Sequence, residues 1–134
     1  MKIAIYGYGN LGRGVELAIR QNPDMQPVGV FSRRDPQSVH TLTGLPVFAA
    51  DRVLEFEDQI DVLVICGGSA TDLPVMTPML AAHFNVVDSF DTHADIPNHF
   101  ARVDKAARES GHTALISAGW DPGMFSLNRL YASA

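Results

Sequence analysis

The chain has 134 residues, of which 46% are apolar, and a formal net charge of −5. This length fits one compact domain, and the net negative charge argues against nucleic acid as a partner, because phosphate backbones require a broad basic face. No apolar run reaches the length of a membrane span, and strand-like sequence starts at Lys2, so we predict a cytoplasmic protein with no signal peptide and no membrane partner.

Apolar and β-branched runs alternate with helix-period segments along the whole chain, which predicts a parallel sheet with crossover helices. About six strands are expected in such an α/β domain of residues 1–134. The predicted strands lie near Lys2–Tyr6, Pro27–Phe31, Pro46–Phe48, Val62–Cys66, Val86–Asp88 and Thr113–Ser117.

Two helices have a clear apolar face. In the first helix, the spacing predicts a buried face made of Leu11, Val15, Ala18 and Ile19. The opposite side is predicted to face solvent and contains Arg13, Glu16 and Arg20. The second is predicted from about Pro97 to Ser110 with Gly111 ending it, and its inward residues are Phe100, Val103 and Ala107. Four histidines are predicted to have neither a partner nor a chemical role: His40, His83, His99 and His112.

The stretch IAIYGYGNLGRG places three glycines in G-x-G-x-x-G spacing between the first strand and the first helix. Gly7 permits a tight turn, Gly9 lets the backbone approach a pyrophosphate, and Gly12 allows close packing of helix on strand. The pyrophosphate then lies at the positive end of the helix dipole. This context predicts a Rossmann-type, doubly wound fold that binds a dinucleotide; the alternative is a glycine turn without a ligand.

The second predicted strand ends in FSRR, where a protein that prefers NAD carries a carboxylate for the ribose 2′-hydroxyl. Ser32, Arg33 and Arg34 reverse that preference, because a guanidinium binds a phosphate through parallel hydrogen bonds and also stacks on adenine. We predict NADP as the cofactor, with one arginine in each role. The alternative is a solvated loop that happens to contain two arginines.

The stretch CGGSATDLP follows the fourth strand, and its backbone at Gly67, Gly68 and Ser69 is expected to pass close to a ribose or pyrophosphate. Helix capping is an alternative role for Thr71 and Asp72, and it explains Asp72 better than a ligand contact does. The preceding Cys66 is the only cysteine, so it has no disulfide partner, and it lacks neighbours at metal-ligand spacing; we predict no metal site.

Three carboxylates and a histidine follow the fifth strand in DSFDTHAD. Asp88 is predicted to be the buried end of its strand, and Asp95 the N-cap of the next helix. Asp91 has no such local role, which makes it the better candidate for a site. His93 is either an acid or base near neutral pH or a histidine bonded for structure.

The sixth strand is followed by SAGWDPGMFS, in which Trp120, Asp121 and the flexible Pro-Gly predict the floor of a substrate pocket. Asp121 also has N-cap form, and the two roles are compatible. The apolar stripe that follows, Met124, Leu127, Leu130 and Tyr131, has nothing after it to bury it. We therefore expect either a piece of a longer protein or a chain that must associate.

Five stretches, YGYGNLGRGVE, GVFSRR, CGGSATDLP, DSFDTHADIP and SAGWDPGMFSLNRLYA, together resemble the N-terminal dinucleotide-binding part of the meso-diaminopimelate dehydrogenase family. The resemblance spans the whole chain. It implies an NADP-dependent, reversible oxidative deamination at the D-configured carbon of meso-diaminopimelate, in lysine and cell-wall precursor synthesis. It also implies a homodimer whose second domain supplies much of the substrate site, so this chain alone is expected to bind NADP but to turn over poorly.

By the same resemblance, Asp91 and Asp121 are the catalytic carboxylates around the reacting amino group, with Trp120 beside them. The implied cofactor contacts are Gly7, Gly9, Asn10, Leu11, Gly12, Ser32, Arg33, Arg34, Cys66, Gly67, Ser69, Thr71, Pro122 and Met124. Two alternatives remain from the sequence. One is a free-standing NADP sensor or regulatory module, and the other is a different amino-acid or imine oxidoreductase of the same architecture.

Overall fold

A computed structural model describes residues 1–133 and contains one six-stranded parallel sheet. The strands are β1 (Lys2–Tyr6), β2 (Gln26–Ser32), β3 (Val47–Ala49), β4 (Val62–Ile65), β5 (Val86–Asp88) and β6 (Ala114–Leu115). Their order in the sheet is β3-β2-β1-β4-β5-β6. The direction of winding therefore reverses at β1, and the carboxyl ends of β1 and β4 border the crevice where doubly wound folds bind ligands. The predicted fold class is confirmed.

Helices connect the strands, with α1 (Asn10–Arg20), α2 (Leu73–Ala81), α3 (Ile96–Ser110) and α4 (Met124–Ala132). Three further segments are 3₁₀ helices: Pro36–Ser38, Ala50–Gln59 and His93–Asp95. β6 is shorter than the predicted Thr113–Ser117. The N–H groups of Ser117 and Ala118 turn to the side chain and the carbonyl of Asp88, at 2.8 Å each, which ends the strand.

Successive residues of β1 enter two separate apolar clusters, as the alternation of a strand requires. Ile3 and Ile5 pack with the buried residues of α1 and β2, whereas Ala4 and Tyr6 pack with those of α2, α3 and β4. The sheet is thus covered on both faces, and its carboxyl edge is left for the loops that carry the predicted site.

The buried face of α1 differs from the predicted one. Gly12, Glu16 and Ile19 are buried, whereas Leu11 is 44% exposed and Ala18 lies at the surface. Gly12 sets this orientation, because a Cβ there would lie 2.4 Å from the Gly7 carbonyl oxygen. The prediction that Glu16 faces solvent is wrong, and its burial is possible because its carboxylate is fully hydrogen-bonded.

α3 has the predicted extent and ends at Gly111, whose φ of 76° is left-handed. Val103 and Ala107 are buried as predicted, but Phe100 is 56% exposed and the adjacent His99 is buried instead. The prediction that His99 lacks a partner is wrong, because its Nε2 lies 2.7 Å from a carboxylate oxygen of Asp88. It is also wrong for two others, since His83 pairs with Glu57 and His112 with Ser110.

The apolar stripe of α4 is exposed, and none of its side chains is buried. Within residues 1–133 nothing covers it, as the sequence predicts. No helix in this described part of the chain is both long and apolar enough to span a membrane.

Candidate cofactor and substrate site

A cleft of about 300 Å³ opens where the carboxyl ends of β1, β2 and β4 meet. The predicted cofactor residues that line it are Gly7, Gly9, Ser32, Arg33, Arg34, Cys66 and Gly67. The other predicted contacts, which do not line this cleft, are Asn10, Leu11, Gly12, Ser69, Thr71, Pro122 and Met124. Three separate loops of the sequence therefore converge on one concave surface.

The glycine turn forms one wall of the cleft. Gly7 has φ 98°, and a Cβ there would lie 2.9 Å from the Cys66 carbonyl oxygen, so only glycine fits. A Cβ on Gly9 would meet nothing within 4 Å, which leaves open space in front of the first turn of α1. Within the described chain no side chain caps that helix start. Its free N–H groups and dipole are suited to an anion.

Arg34 is positioned by the glycine turn. Its Nη2 donates to the carbonyl oxygen of Tyr8, and its backbone N–H donates to Oγ of the buried Ser32 at 3.1 Å. These contacts involve neutral groups only, so the positive charge of Arg34 is retained at the wall of the cleft.

Arg33 crosses the cleft and pairs with Asp72, with Nη1 and Nη2 lying 3.1 and 2.8 Å from the two carboxylate oxygens. Asp72 also accepts the N–H of Gly68 at 2.9 Å. The Gly68 N–H and the Arg33 guanidinium hold the pKa of Asp72 below its usual value. Asp72 stands at the N-cap of α2, but its side chain makes no capping bond, so the capping interpretation is wrong.

Behind the glycine turn lies a buried carboxylate that the sequence analysis missed. Glu16 accepts hydrogen bonds from the Tyr8 hydroxyl, from Leu42 N at 3.1 Å, and from both the N–H (2.7 Å) and the hydroxyl of Thr43. Burial alone raises the pKa of Glu16, but the bonds from Thr43, Tyr8 and Leu42 outweigh it, and the pKa lies below its usual value. This network fixes the glycine turn to the loop before β3.

Cys66 is among the residues that line the cleft. Burial raises its pKa to about 12, so it stays protonated at neutral pH. It is therefore a lining group and not a nucleophile.

At the end of β5, Asp88 is the buried end of its strand, as predicted. Its carboxylate accepts from Thr77 Oγ1 and His99 Nε2, each at 2.7 Å, and from the N–H groups of Phe90 (3.1 Å) and Ser117 (2.8 Å). These bonds hold together α2, α3 and the loops after β5 and β6. His99 Nδ1 and Ser117 Oγ are buried and have no hydrogen-bond partner among residues 1–133.

Asp91, the first predicted catalytic carboxylate, is exposed. Its backbone N–H donates to Ser69 Oγ at 2.8 Å, which ties the loop after β5 to the loop after β4. Asp95 stands at the N-cap position of α3, as predicted, but its carboxylate accepts hydrogen bonds from the side chains of Asn98 and Arg102 and caps no backbone N–H.

Asp121, the second predicted carboxylate, accepts from Ser126 Oγ and Arg129 Nη2, each at 2.9 Å. It is not an N-cap, because α4 starts later and Gly123 has that position. His93 Nε2 lies 3.8 Å from Asp121, so the loops after β5 and β6 meet. No hydrogen bond or ion pair in the described chain joins Asp91 to Asp121. Trp120 is 65% exposed and stacks on Phe125.

Four loops at the carboxyl edge are thus linked in series, through Arg33–Asp72, Ser69–Asp91 and His93–Asp121. Among residues 1–133 no group of three or more His, Cys, Asp or Glu side chains could hold a metal ion. The sheet order, the glycine turn and the switch-point cleft define the chain as a Rossmann-type α/β domain of the dinucleotide-binding class.

Comparison with known proteins is more specific. The chain is 58% identical over 130 residues to a meso-diaminopimelate D-dehydrogenase of Ureibacillus thermosphaericus, covering 97% of this chain and 40% of that enzyme. Its fold matches an engineered D-amino acid dehydrogenase bound to NADP⁺, with a TM-score of 0.91, 49% identity, and coverage of 99% of this chain and 40% of that one.

The fold also matches the Corynebacterium glutamicum DAP dehydrogenase in complex with DAP, with a TM-score of 0.88 and 49% identity over 99% of this chain and 40% of that one. No protein-family model matches the chain. The chain spans about two fifths of the length of the curated relatives it matches. The predicted resemblance is confirmed: this chain is similar, over its whole length, to the N-terminal part of meso-diaminopimelate D-dehydrogenases.

Proposed function

We propose that the chain is the NADP-binding part of an NADP-dependent amino-acid dehydrogenase of the meso-diaminopimelate type. The observation that carries the proposal is the pair Arg33 and Arg34 at the mouth of a glycine-turn cleft, with Ser32 where NAD-binding domains have a carboxylate. The engineered D-amino acid dehydrogenase that this chain matches is bound to NADP⁺. The matched curated relatives are dehydrogenases by name, and nothing in the comparisons supports the alternative of a free-standing sensor.

The residues present fit this cofactor. The open space in front of Gly9 and the uncapped start of α1 would receive the pyrophosphate. Ser32, Arg33 and Arg34 would receive the 2′-phosphate and the adenine. When bound, the nicotinamide supplies the hydride chemistry, and the chain's own task is to bind and orient it.

On the substrate side, Asp91 and Asp121 are proposed to surround the reacting amino group, with Trp120 beside it. An ammonium must be fixed so that its C–H is aimed at the cofactor, and the amine must lose a proton as the hydride leaves. One carboxylate would anchor the charge and the other would accept the proton. The link between their loops through His93 supports this arrangement. Addition of water and loss of ammonia would complete the deamination.

The same proposal includes a second domain outside residues 1–134 that binds the far end of meso-diaminopimelate and completes a cytoplasmic homodimer. The matched relatives are about two and a half times as long as the region they share with this chain, as the 40% coverage of the Ureibacillus enzyme implies. The exposed stripe of α4 is a surface that such a domain would cover. By itself the chain would bind NADP but deaminate poorly.

Calorimetric titration of the purified chain with NADPH and NADH tests the cofactor assignment. NADPH should bind more tightly, and an Arg33→Ala/Arg34→Ala variant should lose about 1–3 kcal/mol of NADPH binding free energy per lost charge-assisted contact, with a much smaller loss for NADH. An Arg20→Ala/Arg108→Ala variant removes the same charge from exposed positions outside the cleft and is the control. Equal losses for the two coenzymes would contradict the proposal.

Catalysis is tested in a chimera that joins this chain to the remaining three fifths of the Ureibacillus enzyme. Asp91→Asn should lower the rate of meso-diaminopimelate oxidation while leaving the affinity for NADPH unchanged. Unchanged turnover would remove Asp91 from the site. Assay of the chimera with simple D-amino acids distinguishes the proposed substrate from that of another oxidoreductase of this architecture.

A further inference from the structure

The two arginines that line the cleft differ in their electrostatic surroundings. Arg33 is paired in bidentate geometry with Asp72, whereas Arg34 donates to the neutral carbonyl of Tyr8. Asp72 is the one carboxylate among the residues that line the cleft in the described chain. The charge of Arg33 is therefore largely offset at short range, and that of Arg34 is not.

Asp72 is held in place independently of Arg33. Its Oδ2 accepts the Gly68 N–H at 2.9 Å. The chain also makes room for it, because a Cβ on Gly67 would lie 2.9 Å from the Asp72 Cβ. With its pKa below the usual value, Asp72 is ionised at neutral pH. It is a fixed negative charge beside the place where a dianionic phosphate would bind.

We propose that Asp72 is a specificity-determining residue that limits the preference for a 2′-phosphorylated coenzyme and makes Arg34 the main phosphate-selecting group. This inference rests on the proposed NADP site. The bidentate pair uses one N–H of each terminal nitrogen of Arg33, so its Nε–H and both faces of its guanidinium remain available. Arg33 then serves chiefly as a flat surface for the adenine, which NADPH and NADH share.

The measured quantity is the ratio of the NADH to the NADPH dissociation constant, because contributions common to both coenzymes cancel in it. Asp72→Asn removes the negative charge and should raise this ratio by about 3- to 10-fold at physiological ionic strength, with a smaller rise at high salt. Asp72→Glu keeps the charge and should leave the ratio near that of the wild type.

Asp58→Asn is the matched control, since it removes the same charge from an exposed position that does not line the cleft.

A second test leaves Asp72 in place and does not depend on how well the Asp72 variants fold. In the otherwise wild-type chain, Arg34→Gln should lower the ratio by at least about 10-fold, whereas Arg33→Gln should lower it by only about 2-fold. A third measurement combines the two substitutions. In the Asp72→Asn background, Arg33→Gln should lower the ratio by more than the roughly 2-fold expected when Asp72 is present.

If Asp72→Asn left the ratio of the NADH to the NADPH dissociation constant unchanged, or reduced it, the inference would be overturned. It would also be overturned if Arg33→Gln and Arg34→Gln lowered this ratio equally in the otherwise wild-type chain. Failure of the proposed NADP-binding function would give a different result in these titrations. In that case the wild-type chain itself would show no preference for NADPH, and the role of Asp72 would fall with it. A wild-type preference that Asp72→Asn does not increase would contradict the role of Asp72 alone.

Discussion

Each half of the sheet has one buried carboxylate that connects its elements, and the two carboxylates receive their hydrogen bonds from different kinds of donor. Glu16 in the amino-terminal half (β1 to β3) and Asp88 in the carboxyl-terminal half (β4 to α4) each accept four hydrogen bonds. The donors to Glu16 are hydroxyls and backbone N–H groups. Asp88 has a histidine among its donors, and buried polar atoms of His99 and Ser117 remain without partners in residues 1–133.

The difference in hydrogen bonding between the two halves parallels the roles proposed for them. The amino-terminal half forms most of the cofactor cleft, and the segment from Cys66 to Met76 forms the rest. The buried carboxylate of the amino-terminal half receives all its hydrogen bonds from that half. The carboxyl-terminal half holds the proposed substrate loops, and it also carries the exposed stripe of α4. Buried polar atoms without hydrogen-bond partners are rare in the interiors of folded proteins. The amino-terminal half therefore satisfies its buried carboxylate within the described residues, whereas the carboxyl-terminal half leaves His99 Nδ1 and Ser117 Oγ without partners there.

The largest effect on stability is expected from Asp88→Ala. The substitution leaves His99, Thr77 and two backbone N–H groups without their acceptor in a buried site, and it should lower the free energy of unfolding by about 3–5 kcal/mol. Urea denaturation followed by circular dichroism measures this loss. Asp104→Ala, which removes a partly exposed aspartate that pairs with Arg108 on α3, should cost less than about 1 kcal/mol. Similar losses for both variants would mean that Asp88 does not anchor the loops.

Glu16→Gln should have an intermediate effect of about 1–3 kcal/mol, because glutamine retains one acceptor oxygen but places a donor toward groups that also donate. Tyr8, Leu42 and Thr43 would compete for that oxygen. The same denaturation experiment measures the loss. If Glu16→Gln destabilised the chain as strongly as Asp88→Ala, the distinction drawn between the two halves would not hold.

The pH dependence of stability gives a sharper measurement on Glu16. Its pKa in the folded chain lies below the usual value, so the ionised carboxylate stabilises the fold fully above the ordinary glutamate range. That contribution is lost as the pH falls through the folded pKa, because protonation removes the acceptor. The stability of wild type and of Glu16→Gln should therefore converge on acidification. A constant difference between them from neutral to acidic pH would show that Glu16 is not the titrating group.

The parallel order and the convergence of the glycine turn with FSRR were predictable, because alternating strands and helices place the loops after successive strands at one edge. The contacts of Glu16 and Asp72 were harder to predict, since their partners Thr43 and Arg33 are distant in sequence. The buried face of α1 was predictable from the sequence. Gly12 was expected to pack closely on the strand, and Glu16, one helical turn later, lies on the same face of the helix. Asp121 was misassigned as a cap because α4 starts after Gly123.

The smallest effect is expected on α4. Leu130 is 68% exposed, so Leu130→Ala should change the free energy of unfolding of this chain by no more than about 0.5 kcal/mol. Leu80 on α2 is buried and provides the matched control, for which Leu80→Ala should cost about 2–5 kcal/mol. In the chimera with the Ureibacillus enzyme, Leu130→Ala should instead become destabilising, because the proposed second domain would cover this side chain. A Leu130→Ala cost of several kcal/mol already in the isolated chain would mean that α4 packs on the domain itself, and the contrast drawn between the amino- and carboxyl-terminal halves would be lost.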